Sequence, residues 1–186
     1  MKEVHHKLLA EEMERLTIDE FRSSDKLPLC LIVDSVRSLH NVGSFLRTAD
    51  AFRIEKVWLC GITGTPPHSD IHKTALGAED SVCWEYAPST SQLIERLSRE
   101  GWQICAAEQV AGSTMLPDFP FDSQARYAIV VGNEVMGVSQ EAVDAADCCI
   151  EIPQFGTKHS LNVSVTAGIL IWEFARRFEY AHRLKR

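Results

Sequence analysis

At 186 residues, 45% hydrophobic and 24% charged, the chain has the size and balance of one globular domain with a substantial core. No apolar run is long enough to span a bilayer, because the longest, at residues 168–172, is interrupted by Glu173. The opening MKEVHHKLLAEEMERL is too charged for a signal peptide. A net charge of −7 argues against a nucleic-acid coat protein, while the terminal RRFEYAHRLKR leaves room for a local basic face.

Taken in chain order, Leu8, Leu9, Met13 and Leu16 recur at a helical period, which predicts an N-terminal helical extension over about residues 1–25. LCLIVD, after Pro28, reads as a first strand. NVGSFLRTADAF then puts Val42, Phe45, Leu46, Ala49 and Phe52 on one helical face, with Asn41 placed to cap it. KVWLCG is a second strand, GITGTPPHSD a loop and VCWEYA a third strand. STSQLIERLSREG is a helix with Ser and Thr at its start and Gly101 past its end. WQICAA is a strand, VAGSTMLPDFPFDSQ a long loop, RYAIVVG a strand, SQEAVDAA a short helix and CCIEI a final strand. A helix from about Asn162 closes the chain. Continuous apolar strands alternating with helices indicate a single α/β domain built on a parallel sheet covered on both faces.

The six cysteines show no CxxC and no Cys–His spacing. They read as small buried hydrophobes of a reducing cytoplasm, without structural zinc. His5, His6, His40, His68 and His72 also lack ligand spacing, so no metal is expected.

Ligands of such sheets bind where strands give way to helices, and three of these turns are chemically loaded. They are VRSLHNVGSFLR (Arg37, Asn41, Gly43, Arg47), VGNEVMG (Gly132, Asn133, Glu134, Gly137) and IPQFGTKHSLN, residues 152–162. The second has the G-x-x-x-x-G frame of a phosphate loop, but Val138 stands where the lysine belongs and Glu134 would repel a polyphosphate. No G-x-G-x-x-G follows the first strand. The turns therefore suit a ligand without phosphates, held by backbone groups at Gly-rich bends.

N-x-G-x-x-x-R (Asn41, Gly43, Arg47), G-N-E-x-x-G (residues 132–137) and I-P-x-x-G-x-x-x-S-L-N-V-S (residues 152–164) occur in that order. They resemble the three signature motifs of the SpoU/TrmH class of SPOUT RNA 2′-O-methyltransferases, over roughly residues 29–176. The resemblance implies a Rossmann-like, mostly parallel sheet whose C-terminal part is tied in a deep trefoil knot. It also implies S-adenosyl-L-methionine as cofactor, RNA as substrate and a homodimer with the active site near the interface. By position, Gly132, Ile152, Leu161 and Gly156 would contact the cofactor, the strand end at residues 106–108, with Ala107, would add to the adenosine pocket, and Pro153 and Gly156 would set a sharp path.

In the reaction so implied, a ribose 2′-hydroxyl displaces the sulfonium methyl in line, which needs alignment and management of one proton. The resemblance gives Arg47 the central role. A guanidinium keeps its proton in water, so its role reads as stabilising the developing alkoxide and clamping the neighbouring phosphate. Asn41, Glu134, Ser160 and Asn162 would orient Arg47, the ribose and the loops. Taken singly, Asn41, Ser160 and Asn162 read equally as helix caps, Glu134 as a solvated loop acid and Arg47 as a surface arginine. Their joint occurrence favours the site.

Arg37, Lys158, Arg176 and Arg177 are candidates for RNA contact, with Arg183, Lys185 and Arg186 behind them. Trp172 and Phe174 read as core or dimer-interface aromatics. Gln154 and the wording I-P-Q…S-L-N-V…I-W-E resemble the enzymes that methylate a guanosine ribose in the tRNA D-loop, which favours tRNA over rRNA. The rival readings are a catalytically silent RNA-binding relative of the same fold and a nucleotide-binding regulator, the latter weakened by Val138.

Overall fold

The computed structural model describes residues 5–178; the candidates Arg183, Lys185 and Arg186 lie outside the described residues. Among the described residues, seven parallel strands form one sheet in the order β3-β2-β1-β6-β4-β7-β5. They are β1 (Leu27–Asp34), β2 (Ile54–Cys60), β3 (Trp84–Ala87), β4 (Trp102–Ala107), β5 (Thr114–Met115), β6 (Arg126–Val131) and β7 (Cys148–Glu151). The helices are α1 (Ile18–Ser23), α2 (Leu39–Ala51), α3 (Ser69–Ala75), α4 (Ala78–Ser81), α5 (Thr90–Arg99), α6 (Gln140–Ala145) and α7 (Val163–Arg177).

Side chains alternate across a strand, and β1 divides accordingly. Leu29, Leu31 and Val33 join the core beneath α2 and α7, where Phe45, Leu46, Leu170 and Phe174 pack. Cys30 and Ile32 join the other, beneath α5 and α6, with Leu93, Ile94, Leu97 and Ala142. Burial on both faces is why these strands read as unbroken apolar runs. α5 starts and stops as expected: Ser89 Oγ accepts the Gln92 N–H at 3.3 Å, and Gly101 takes a left-handed φ of 85° just past the end.

Four expectations are revised. The N-terminal periodicity does not make one helix. A 3-10 turn at Ala10–Met13 precedes α1, which starts at a reciprocal Thr17–Glu20 cap. Leu8, Leu9, Met13 and Leu16 stay exposed, and an amphipathic stripe without a packing surface does not sustain a helix of that length. Second, α2 is capped by Ser38, whose Oγ accepts the Asn41 N–H at 3.3 Å, so Asn41 lies inside the first turn. Third, α3 and α4 follow the Gly/Pro loop, and the long loop after β4 contains β5. Fourth, Cys30, Cys60 and Cys105 are buried but Cys83 is exposed; burial pushes the Cys60 thiol up to about 12.

Gly43 has a packing role. A Cβ there would lie 2.3 Å from the Ile71 carbonyl oxygen and 2.1 Å from Thr74 Oγ1, so α2 and α3 meet nearly backbone to backbone. β7 lies between β4 and β5, with Ala107 and Thr114 both paired to Ile150. The connection 108–113 therefore passes around the carboxyl end of β7, where the chain leaves for α7.

Candidate active site

β1, β6, β4 and β7 are consecutive neighbours in the sheet, so the turns that follow them stand side by side at its carboxyl edge. A cleft of ≈ 540 Å³ opens there, within the range of about 300–1,000 Å³ usual for ligand sites. Of the expected cofactor contacts, Gly132, Ile152, Leu161 and Ala107 line it, together with Glu134, Ser160 and Asn162. Gly156 is not among the lining residues; it is exposed, its backbone is not left-handed, and a Cβ there would meet nothing within 4 Å.

The second turn is closed on itself. Asn133 and Gly137 exchange backbone hydrogen bonds of 2.8 and 3.0 Å. Asn133 Oδ1 accepts the Val135 and Met136 N–H groups, while its Nδ2 donates to the Ser35 carbonyl at 2.7 Å. A Cβ on Gly132 would sit 2.1 Å from the backbone carbon of Gly137, so only glycine allows the turn to fold this tightly.

Glu134 ties this turn to the first. Its Oε2 accepts the Arg37 N–H at 3.1 Å, and its Oε1 accepts the Ser38 N–H and Asn41 Nδ2, each at 3.0 Å. Burial acts to raise its carboxyl pKa, but its own amide, those of Arg37 and Ser38 and the Asn41 side chain together hold it below the ordinary value. The series continues into the third turn. Asn162 Nδ2 donates to Asn41 Oδ1 at 3.4 Å, and Asn162 Oδ1 caps α7 by accepting the Ser164 N–H at 2.8 Å and the Val165 N–H at 3.4 Å. Asn41 is 8% exposed, so its amide is committed to these partners. One polar relay, Glu134–Asn41–Asn162, joins all three motifs.

Arg47 is exposed on α2 beyond Asn41, does not line the cleft, and has no hydrogen bond or ion pair among the described residues. Ser160 faces the cleft with its hydroxyl likewise without a partner among them. Arg37 and Lys158 are exposed. Arg176 is exposed and paired to Glu173 at 2.7 Å. Arg177 has a different task from the one expected. Its guanidinium donates to the carbonyls of Phe119 (2.7 Å), Leu116 (2.8 Å) and Pro117 (3.2 Å), and to Glu173 (2.6 Å). Those donors fasten the segment before β6 to α7 and are not presented to a ligand. Phe174 is core and Trp172 is 56% exposed.

Sequence reasoning passed over Asp34, and placed Glu108 only within the strand end 106–108 expected at the adenosine pocket. Asp34, at the end of β1, accepts the Thr90 hydroxyl at 2.7 Å and the Ser139 N–H at 2.9 Å, joining the starts of α5 and α6. Glu108 accepts the Val138 N–H at 2.8 Å. Acids closing strands β1 and β4 were the available signal. Glu108, Glu134 and Glu151 line the cleft and, among the described residues, no Lys or Arg does, which fits a cationic ligand better than a phosphorylated one.

Residues 28–172 match the model of the SpoU rRNA Methylase family. The chain is 30% identical over 163 residues to the 23S rRNA (guanosine-2'-O-)-methyltransferase RlmB of Neisseria meningitidis serogroup B, covering 86% of this chain and 62% of that protein. Among solved structures, it is similar to the A. aeolicus TrmH/SpoU tRNA modifying enzyme with a TM-score of 0.78 at 28% identity, covering 89% of this chain and 84% of that one. It is also similar to the AdoMet-bound rRNA methyltransferase of Sinorhizobium meliloti with a TM-score of 0.75 at 28% identity, over 89% and 61% of the two chains. The chain spans 63%, 66% and 62% of the length of the first curated relatives it matches, less than two thirds.

Proposed function

We propose, since the chain belongs to the SpoU rRNA Methylase family, that it is an RNA methyltransferase acting on a ribose 2′-hydroxyl with S-adenosylmethionine as cofactor. The observation that carries this reading is the Glu134–Asn41–Asn162 relay, which draws the three motif turns around one cleft. The residues present fit the cofactor: tight glycine turns offer backbone groups, and the wall is acidic, with no cation lining it among the described residues. When bound, the cofactor supplies an electrophilic methyl on a sulfonium.

The protein's part is alignment and charge. Glu134 fixes the first turn through two amides and Asn41. Asn162 sets the start of α7 and, with it, the path of residues 152–161. Ser160 offers a hydroxyl at the cleft to orient the ribose. Arg47, exposed and without a partner among the described residues, stabilises the alkoxide character of the 2′-oxygen as the hydroxyl gives up its proton to water and the oxygen takes the methyl from the sulfonium, and holds the adjoining phosphate.

The substrate favoured is tRNA, at a D-loop guanosine, from the wording around Gln154 and Trp172, and the similarity to the A. aeolicus tRNA modifying enzyme supports it. A 23S rRNA ribose is the alternative that the RlmB similarity raises. We also take the C-terminal part of the sheet to be tied in a trefoil knot, supported by the position of β7 between β4 and β5. The chain is further read as a homodimer, supported by the apolar exposed face of α7 at Val165 and Trp172.

The test is methylation of total RNA with labelled cofactor, followed by mapping of the modified ribose. A labelled 2′-O-methylguanosine in the tRNA D-loop is the expected product. Absence of label, together with no calorimetric binding of S-adenosylmethionine, would instead identify a silent relative. Arg47→Ala should reduce turnover by about 100-fold or more with the melting temperature unchanged; undiminished turnover would remove Arg47 from the mechanism.

A further inference from the structure

Residues 107–109, at the end of β4, meet both halves of the cleft. Ala107 lines its wall. Glu108, half-buried, accepts the Val138 N–H on Oε2 at 2.8 Å and the Gln109 N–H on Oε1 at 2.9 Å. Val138 is 6% exposed, so its amide depends on that carboxylate. The fit is close enough to need glycine opposite: a Cβ on Gly137 would lie 2.1 Å from Glu108 Oε2, and Gly137 is left-handed at φ +69°. Gln109, the next residue, reaches the other way, its Nε2 donating to the His159 carbonyl in the third turn at 2.9 Å. Consecutive side chains thus grip the second and third turns from between them.

We infer that Glu108 is a positioning residue for the cofactor, which with Gln109 sets the separation of the two turns that hold it. This rests on reading the cleft as the S-adenosylmethionine site. A ligand held by backbone groups on facing turns loses affinity when either turn moves by a fraction of an ångström. Glu108 forms no ion pair among the described residues, so it acts here as a hydrogen-bond acceptor of the right reach. A glutamine keeps one such acceptor; an alanine keeps none.

The experiment is calorimetric titration of S-adenosylmethionine into the wild type, Glu108→Ala, Glu108→Gln and Gln109→Ala. It is paired with hydrogen exchange on the ligand-free proteins and steady-state kinetics. Glu108→Ala should weaken binding about tenfold, raise the cofactor KM to match and leave kcat within about twofold, since a buried amide loses its acceptor. Glu108→Gln should stay within about threefold of wild type. Exchange should quicken over residues 132–138 in Glu108→Ala and over residues 157–161 in Gln109→Ala.

Wild-type affinity in Glu108→Ala would overturn the inference, as would a loss confined to kcat. Equal loss in Glu108→Gln and Glu108→Ala would overturn it too, by assigning the effect to charge. A wild type that binds no cofactor would strike the functional reading itself, and this inference with it.

Discussion

Glu134 holds its turn as a carboxylate, so the site's order should depend on pH in one direction. Its pKa is lowered in the folded chain, which means its contribution is complete above the ordinary carboxylate value and fades as pH falls through the folded one. Cofactor affinity should therefore weaken only as pH falls below the ordinary glutamate value, and Glu134→Gln should flatten that part of the calorimetric pH profile. Gly43 is the second residue on which the site depends, through packing. Gly43→Ala should destabilise the fold by about 1–3 kcal/mol in urea unfolding, because the new Cβ overlaps a backbone carbonyl of α3. Both residues were legible as motif positions; Glu134 was expected to orient the loops without its partners being readable, while the packing task of Gly43 was not read. Asn41 read as a cap because Asn caps helices, yet Ser38 caps and Asn41 is committed to a carboxylate 93 residues away. No local pattern carries such a pairing.

Among the elements, α7 links site and core. Asn162 opens it at the cleft, and Leu170 and Phe174 are fully buried against the sheet. Leu170→Ala should cost about 2–5 kcal/mol, read from chemical denaturation. Its partner segment before β6 is fastened by Arg177, a residue read from composition as one of several basic tail positions. Charge alone does not distinguish an arginine offered to solvent from one that caps orphan carbonyls. The strands were the most legible elements, since two-sided burial writes itself into the sequence as apolar runs. α3 and α4 were missed for the opposite reason: they span only Ser69–Ala75 and Ala78–Ser81, too short to display a periodic stripe. The N-terminal stretch shows the converse, a stripe with nothing to cover it.

On the scale of the whole molecule, the exposed face of α7 makes the assembly testable. Trp172 is 56% exposed and meets Phe52 edge to face, with centroids 5.9 Å apart. If α7 faces a second copy, Trp172→Glu should convert a dimer to a monomer in sedimentation velocity with little change in circular dichroism. The fold class followed from the alternation of strands and helices, but the strand order did not, because β6 and β7 pair with strands that are not their neighbours in sequence. That order has a kinetic consequence. β6 lies between β1 and β4, and β7 between β4 and β5, so each enters between strands made before it. A nascent chain ending near residue 125 lacks the central strand and cannot close its sheet. Assembly must wait for pairings of high sequence separation, whose loop-closure cost makes such topologies slow to form. Until then the facing edges of β1 and β4 lie unpaired, open to aggregation with other unfinished chains.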